Sequence, residues 1–124
     1  MANHVPQSTV LVVDDDDGIR GALQAMLEDE GYRVRAAGNG LEALTMCGEG
    51  LPALILLDLM MPKMDGVTFM EVLRRGYDQI PPVLVLSASQ RAPQQVKQMG
   101  AEGFLAKPFD LDELLMAVER LVRG

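Results

Sequence analysis

A chain of 124 residues is one domain's worth, and 48% hydrophobic with 23% charged residues is the balance of a globular protein rather than a disordered tail. With 11 basic against 18 acidic residues the net charge is −7, which argues against unassisted nucleic-acid binding through a basic patch. The single cysteine rules out an internal disulfide, no run reaches the ~18 apolar residues of a membrane span, and MANHVPQS lacks the features of a signal peptide, so a cytoplasmic setting is expected.

Residues 1–8 read as a flexible tail that carries His4, the only histidine, as a solvated terminal residue. Residues 9–124 read as one domain. Thr9–Val13 is a short apolar run suited to a strand buried on both faces. Ile19, Ala22, Leu23, Met26 and Leu27 then form a helical stripe that stops at Gly31. Arg33–Ala37 is a weaker strand, and Leu41–Cys47 a helix closed by Gly48. Ala53–Leu57 is the next strand, followed by a helix over Val67–Arg75 that ends at Gly76. Val83–Leu86 is again strand, Pro93–Met99 a helix stopped by Gly100, and Phe104–Ala106 the last strand. Leu111, Leu114, Leu115, Val118, Leu121 and Val122 make the final amphipathic helix. Cys47 reads as a small core residue, and most of the nine methionines as core fillers.

Strict alternation of β and α units predicts a parallel sheet with right-handed crossovers and helices on both faces. Five units are too few for a closed barrel, so an open doubly wound α/β sheet is expected, with its site at the carboxyl ends of the strands. The first strand ends in Asp14 to Asp17, the third in Asp58, the fourth in Ser87-Ala88-Ser89 and the fifth in Lys107-Pro108. Asp16 or Asp17 has an ordinary role as helix cap. Asp14 and Asp15 lie at the strand end itself, where like charges repel. Clustered carboxylates beside a hydroxyl and an ammonium suit attack by a carboxylate on a phosphoryl group, with Mg²⁺ as a hard, oxygen-ligated partner. Ser87 and Lys107 can each meet a phosphoryl oxygen, and Ala88 leaves the approach to Asp58 open.

The segments LVVDDD with IR after it, LILLDLMMPKMDG, VLVLSAS and GAEGFLAKPF occur in order at four strand ends. On these the chain resembles the receiver (phosphoacceptor) domain of two-component response regulators, from Val10 to the last helix. The resemblance implies a flavodoxin-like fold of strand order 2-1-3-4-5, and a phosphorylation-activated switch or phosphorelay protein. It makes Asp58 the phosphorylated residue, with Mg²⁺ held by Asp14, Asp15, Asp58 and the backbone carbonyl of Met60. Asp15 is then the more direct ligand of the acidic pair. Ser87 and Lys107 fall on the family's hydroxyl and lysine, Pro108 on a proline whose preceding bond is usually cis, and Phe104 on the aromatic switch position. The implied phosphodonor is a sensor histidine kinase or histidine phosphotransfer protein, and the implied recipient of the signal is a protein target rather than nucleic acid or membrane.

Some positions depart from the family pattern. The stretch from Ser87 to Lys107 is short and contains Pro93, which predicts a brief or late fourth helix. Phe104 lacks a hydroxyl, so any switching works by packing. Met60 and Ser89 occupy positions that tune water access to an acyl phosphate. No output domain follows the last helix, so action through a partner is expected. Three other functions compete. An aspartyl-phosphate phosphatase needs a second carboxylate two residues beyond the nucleophile, where this chain has Met60. A flavin or nucleotide module needs a Gly- or Ser/Thr-rich cradle after the first strand, where this chain has four aspartates. A non-phosphorylated interaction scaffold remains open from the sequence.

Overall fold

The computed structural model describes residues 8–123. Its elements alternate as β1 (Thr9–Val13), α1 (Asp17–Asp29), β2 (Arg33–Ala37), α2 (Gly40–Glu49), β3 (Leu54–Asp58) and α3 (Gly66–Gly76). They continue as β4 (Val83–Ser87), α4 (Ala92–Met99), β5 (Gly103–Ala106) and α5 (Leu111–Arg123). All strand pairs are parallel, in the order β2-β1-β3-β4-β5. The expected doubly wound sheet is what forms.

The period-2 alternation of each strand sorts its side chains between two cores. Leu11, Val13, Ile55, Leu57, Val83 and Val85 face α2, α3 and α4, where they meet Ala43, Phe69 and Met99. Val10, Val12, Leu54, Leu56, Leu84 and Leu86 face α1 and α5, against Leu23, Leu27, Leu114 and Val118. The central strands are apolar without a break because both of their faces are covered. β2 lies at one edge, and its Arg33 is exposed.

Helix starts follow local chemistry. Asp16, Asn39 and Asp65 each accept the N–H three residues on, from Ile19, Glu42 and Thr68. The start of α4 has no such cap, and this helix is brief as expected, the shortest at 8 residues, but it does not start late: it begins at Ala92, with Pro93 in its first turn. Gly48 does not end α2: the helix runs to Glu49 and is closed by Gly50. Nothing in the side chain of a glycine forces a stop, and Gly48 lies within the helix. Gly100 does end α4, in the left-handed region at φ 70°. Both β3 and β4 reach one residue further than their apolar runs, so Asp58 and Ser87 are the last residues of their strands. The tail expected over residues 1–8, with His4, lies outside the described residues except for Ser8, whose carbonyl accepts the Arg33 N–H. The nine-methionine expectation divides: Met70 and Met99 are core, whereas Met60 and Met116 are exposed.

Candidate functional site

Strand register brings the site together. Val13 pairs with Leu57 and Asp58 with Leu86, so the residues after β1 and at the end of β3 stand level. Ser87 pairs with Ala106, which sets Lys107 one step beyond. The order of the strands makes β1 and β3 neighbours at the switch point, where the connections leave in opposite directions and open a crevice.

Among the described residues three polar side chains are buried: Asp14, Asp58 and Ser87, at 2%, 7% and 1% exposure. Burying a carboxylate is costly without partners, so a fold that collects two at one sheet edge must compensate them. Asp14 is well compensated. One of its oxygens accepts the Asp16 N–H at 2.9 Å, and the other meets Lys107 Nζ at 2.9 Å. Asp58 is held more loosely, by the Met60 N–H at 3.2 Å and by Lys107 Nζ at 3.7 Å. Burial accordingly pushes the Asp58 carboxyl above its ordinary value. The Met60 N–H and Lys107 oppose that shift, while Asp14 and Asp15 add to it.

Carboxylate oxygens of Asp14, Asp15 and Asp58 all lie within 4.8 Å of one another, with Asp15 exposed at the rim. Three hard oxygen donors at that spacing fit a divalent cation such as Mg²⁺. Ser87 Oγ accepts the Ser89 N–H at 3.1 Å, and its own proton remains available to donate. Asp58, Met60, Ala88, Ser89 and Lys107 line an open hollow over the Asp58 carboxylate. The Lys107–Pro108 peptide is cis.

The loop from Leu59 to Asp65 closes the other side. Gly66 donates its N–H to the Leu59 carbonyl at 3.1 Å, and a Cβ at Gly66 would come within 2.9 Å of the Asp58 carbonyl oxygen. Glycine is required there for close approach.

A family model for the response regulator receiver domain matches residues 10–119. The chain belongs to this family. Receiver domains of response regulators are phosphorylated on aspartate. The response regulator MprA of Mycobacterium avium (strain 104) is 40% identical over 116 residues, covering 92% of this chain and 50% of that protein. The chain thus spans about half the length of the curated relatives it matches. Among solved structures, the chemotaxis protein CheY4 of Vibrio cholerae is similar at TM-score 0.84 and 35% identity, over 93% of this receiver domain and 98% of that chain. The response regulator TrrA of Thermotoga maritima, in complex with Mg(2+)-BeF, is similar at TM-score 0.82 and 32% identity, over 92% and 98% of the two chains.

Of the residues singled out in the sequence of this receiver domain, Asp14, Asp15, Asp58 and Lys107 come together at one sheet edge, Met60 lines the hollow beside Asp58, and Ser87 lies buried at the end of the neighbouring β4, one step beyond the Leu86 that pairs with Asp58. Phe104 stands apart from them, half-buried on β5 against the core on the α2, α3 and α4 side. One neighbour was read from sequence only as part of a motif. Arg20 donates to the Asp14 backbone carbonyl at 2.7 Å and pairs with Asp17. Its three-residue spacing from Asp17 on α1 is the one signal in the sequence, since a bond to a backbone carbonyl leaves none.

Proposed function

We propose that Asp58 is the phosphoacceptor of this receiver domain, taking a phosphoryl group from the phosphohistidine of a sensor kinase or histidine phosphotransfer protein. The observation that carries the reading is the contrast between the two buried carboxylates: Asp14 is committed to Lys107 and a backbone N–H, whereas Asp58 is loosely held beneath an open hollow. In the transfer an Asp58 oxygen attacks phosphorus, the P–O bond forms as the P–N bond breaks, and the imidazole leaves with its electron pair. Ser87 Oγ donates a hydrogen bond to one phosphoryl oxygen, and Lys107 Nζ, now between Asp14 and Asp58, meets another.

Asp14, Asp15, Asp58 and the Met60 carbonyl would hold Mg²⁺. When bound, the ion neutralises the clustered carboxylates and the phosphoryl oxygens that approach them. The Mg(2+)-BeF complex of the Thermotoga relative supports this reading. The protein is a signalling phosphoacceptor that catalyses only its own phosphorylation and dephosphorylation. Met60, two residues beyond Asp58, carries no acid or base that would make it a turnover phosphatase. Its setting is cytoplasmic, where such kinases act, and its output passes to a protein target through Phe104 and the neighbouring surface. No described helix is long and apolar enough to cross a membrane.

Incubation with a small phosphodonor and Mg²⁺, followed by intact mass, tests the assignment. Wild type is expected to gain one phosphoryl group, and Asp58→Asn none. Equal labelling of the two would overturn it.

A further inference from the structure

Arg20 is the fourth residue of α1, a position where a cation opposes the helix dipole. Helical side chains lean toward the N-terminus, which carries the guanidinium back over the loop that leaves β1. There Nη1 donates to the Asp14 carbonyl at 2.7 Å, and Nη2 pairs with Asp17. The Asp14 N–H is already taken by the Ala37 carbonyl at 3.1 Å, and both oxygens of its side chain are bonded. Arg20 therefore completes the hold on Asp14 and fixes the plane of the peptide that joins it to Asp15. Asp15 is exposed, and among the described residues no donor holds its carboxylate. No side-chain bond steers it, so its backbone sets the direction in which its Cβ leaves the chain.

We propose that Arg20 is a positioning residue for the cation site: by clamping the Asp14 carbonyl it aims Asp15 at Asp58, and by pairing with Asp17 it keeps that acid out of the cluster. The inference rests on the Mg²⁺ reading above and goes beyond it. It makes a prediction opposite in sign to simple charge. Removing a cation that neighbours the acidic cluster would lower the repulsion on Mg²⁺ and by charge alone tighten its binding. Loss of positioning weakens it, by roughly tenfold where a residue that orients a metal ligand is removed.

The experiment is titration of the whole chain with Mg²⁺ alone, followed by amide chemical shifts of the loop, for wild type, Arg20→Ala, Arg20→Lys and Asp17→Asn. The expected order is tightest in wild type, weaker in Arg20→Lys, which keeps the charge but not the forked donor, and weakest in Arg20→Ala. Asp17→Asn should remain closer to wild type than to Arg20→Ala, because the clamp on Asp14 survives. Equal or tighter binding by Arg20→Ala, with wild type binding normally, overturns the proposal and leaves the phosphoacceptor reading intact. Absence of any Mg²⁺-dependent shift in wild type overturns both. Arg20→Lys keeps the test decisive if the alanine variant fails to fold: affinity at or above wild type would refute the clamp.

Discussion

A carboxylate buried beside two others ionises reluctantly, and the raised Asp58 carboxyl has a consequence for stability. Its ordinary value is 3.8, and burial lifts it in the folded protein. Between the ordinary and the raised values the folded state binds more protons than the unfolded state. Stability from this group is therefore complete below pH 3.8 and lost as pH rises through the folded value. At neutral pH an ionised Asp58 is a cost that the fold carries for its chemistry. Asp58→Asn is expected to melt at a higher temperature than wild type at pH 7 without Mg²⁺, by roughly 3–6 °C for each kcal/mol recovered. The gap should close on acidification toward pH 4. A variant less stable at neutral pH, or a gap indifferent to pH, would contradict the stated balance of burial and partners.

Among the elements, α4 is joined to the site through Ser89. Ser89 gives its N–H to Ser87 Oγ, and its own Oγ and carbonyl accept the Arg91 and Ala92 N–H groups at the start of the helix. At the other end Arg74, from α3, donates to the Met99 and Gly100 carbonyls. These bonds couple the start of the 8-residue helix to Ser87, so a change at Ser87 is expected to reach α4. Phe104 packs against the same side of the sheet, so its environment reports that change. In this structure the Phe104 ring is half-buried. Adding beryllofluoride with Mg²⁺ should shift the aromatic resonances of Phe104 in wild type, less in Ser87→Ala and least in Lys107→Ala. Both states are expected to pre-exist, with the added charge shifting them only by its differential contacts. Equal shifts in all three proteins would show that neither side chain transmits the event.

At the scale of the whole molecule, site geometry and packing are one problem. Gly66 begins α3 against the Asp58 and Leu59 backbone, and a Cβ there would also meet Leu59 Cδ2 at 2.9 Å. Backbone cannot yield as a flexible side chain can. Gly66→Ala is expected to cost about 1–3 kcal/mol, the range for overpacking, and to displace the Asp58 peptide. Thermal unfolding and phosphodonor labelling together check this: a modest loss of stability should accompany a larger loss of labelling rate. Unchanged labelling would mean that the loop can relax without moving Asp58.

The alternation of apolar runs with helical stripes by itself determined the fold class and the carboxyl-end location of Asp14, Asp15, Asp58, Ser87 and Lys107, while the strand order was implied by the family resemblance of the motifs at four strand ends. Those features are local or periodic, and they are written in consecutive residues. Only the tertiary structure decided which carboxylate is compensated, because Lys107 lies 93 positions from Asp14 in the chain and its choice between Asp14 and Asp58 depends on the register of β5. The same holds for the bonds that end on backbone atoms: Arg20 to the Asp14 carbonyl, Arg74 to the Met99 carbonyl, Tyr77 Oη to the Cys47 carbonyl. A carbonyl is identical at every position. Which one a side chain reaches is settled by how strands and helices stack, and by nothing in the letters between them.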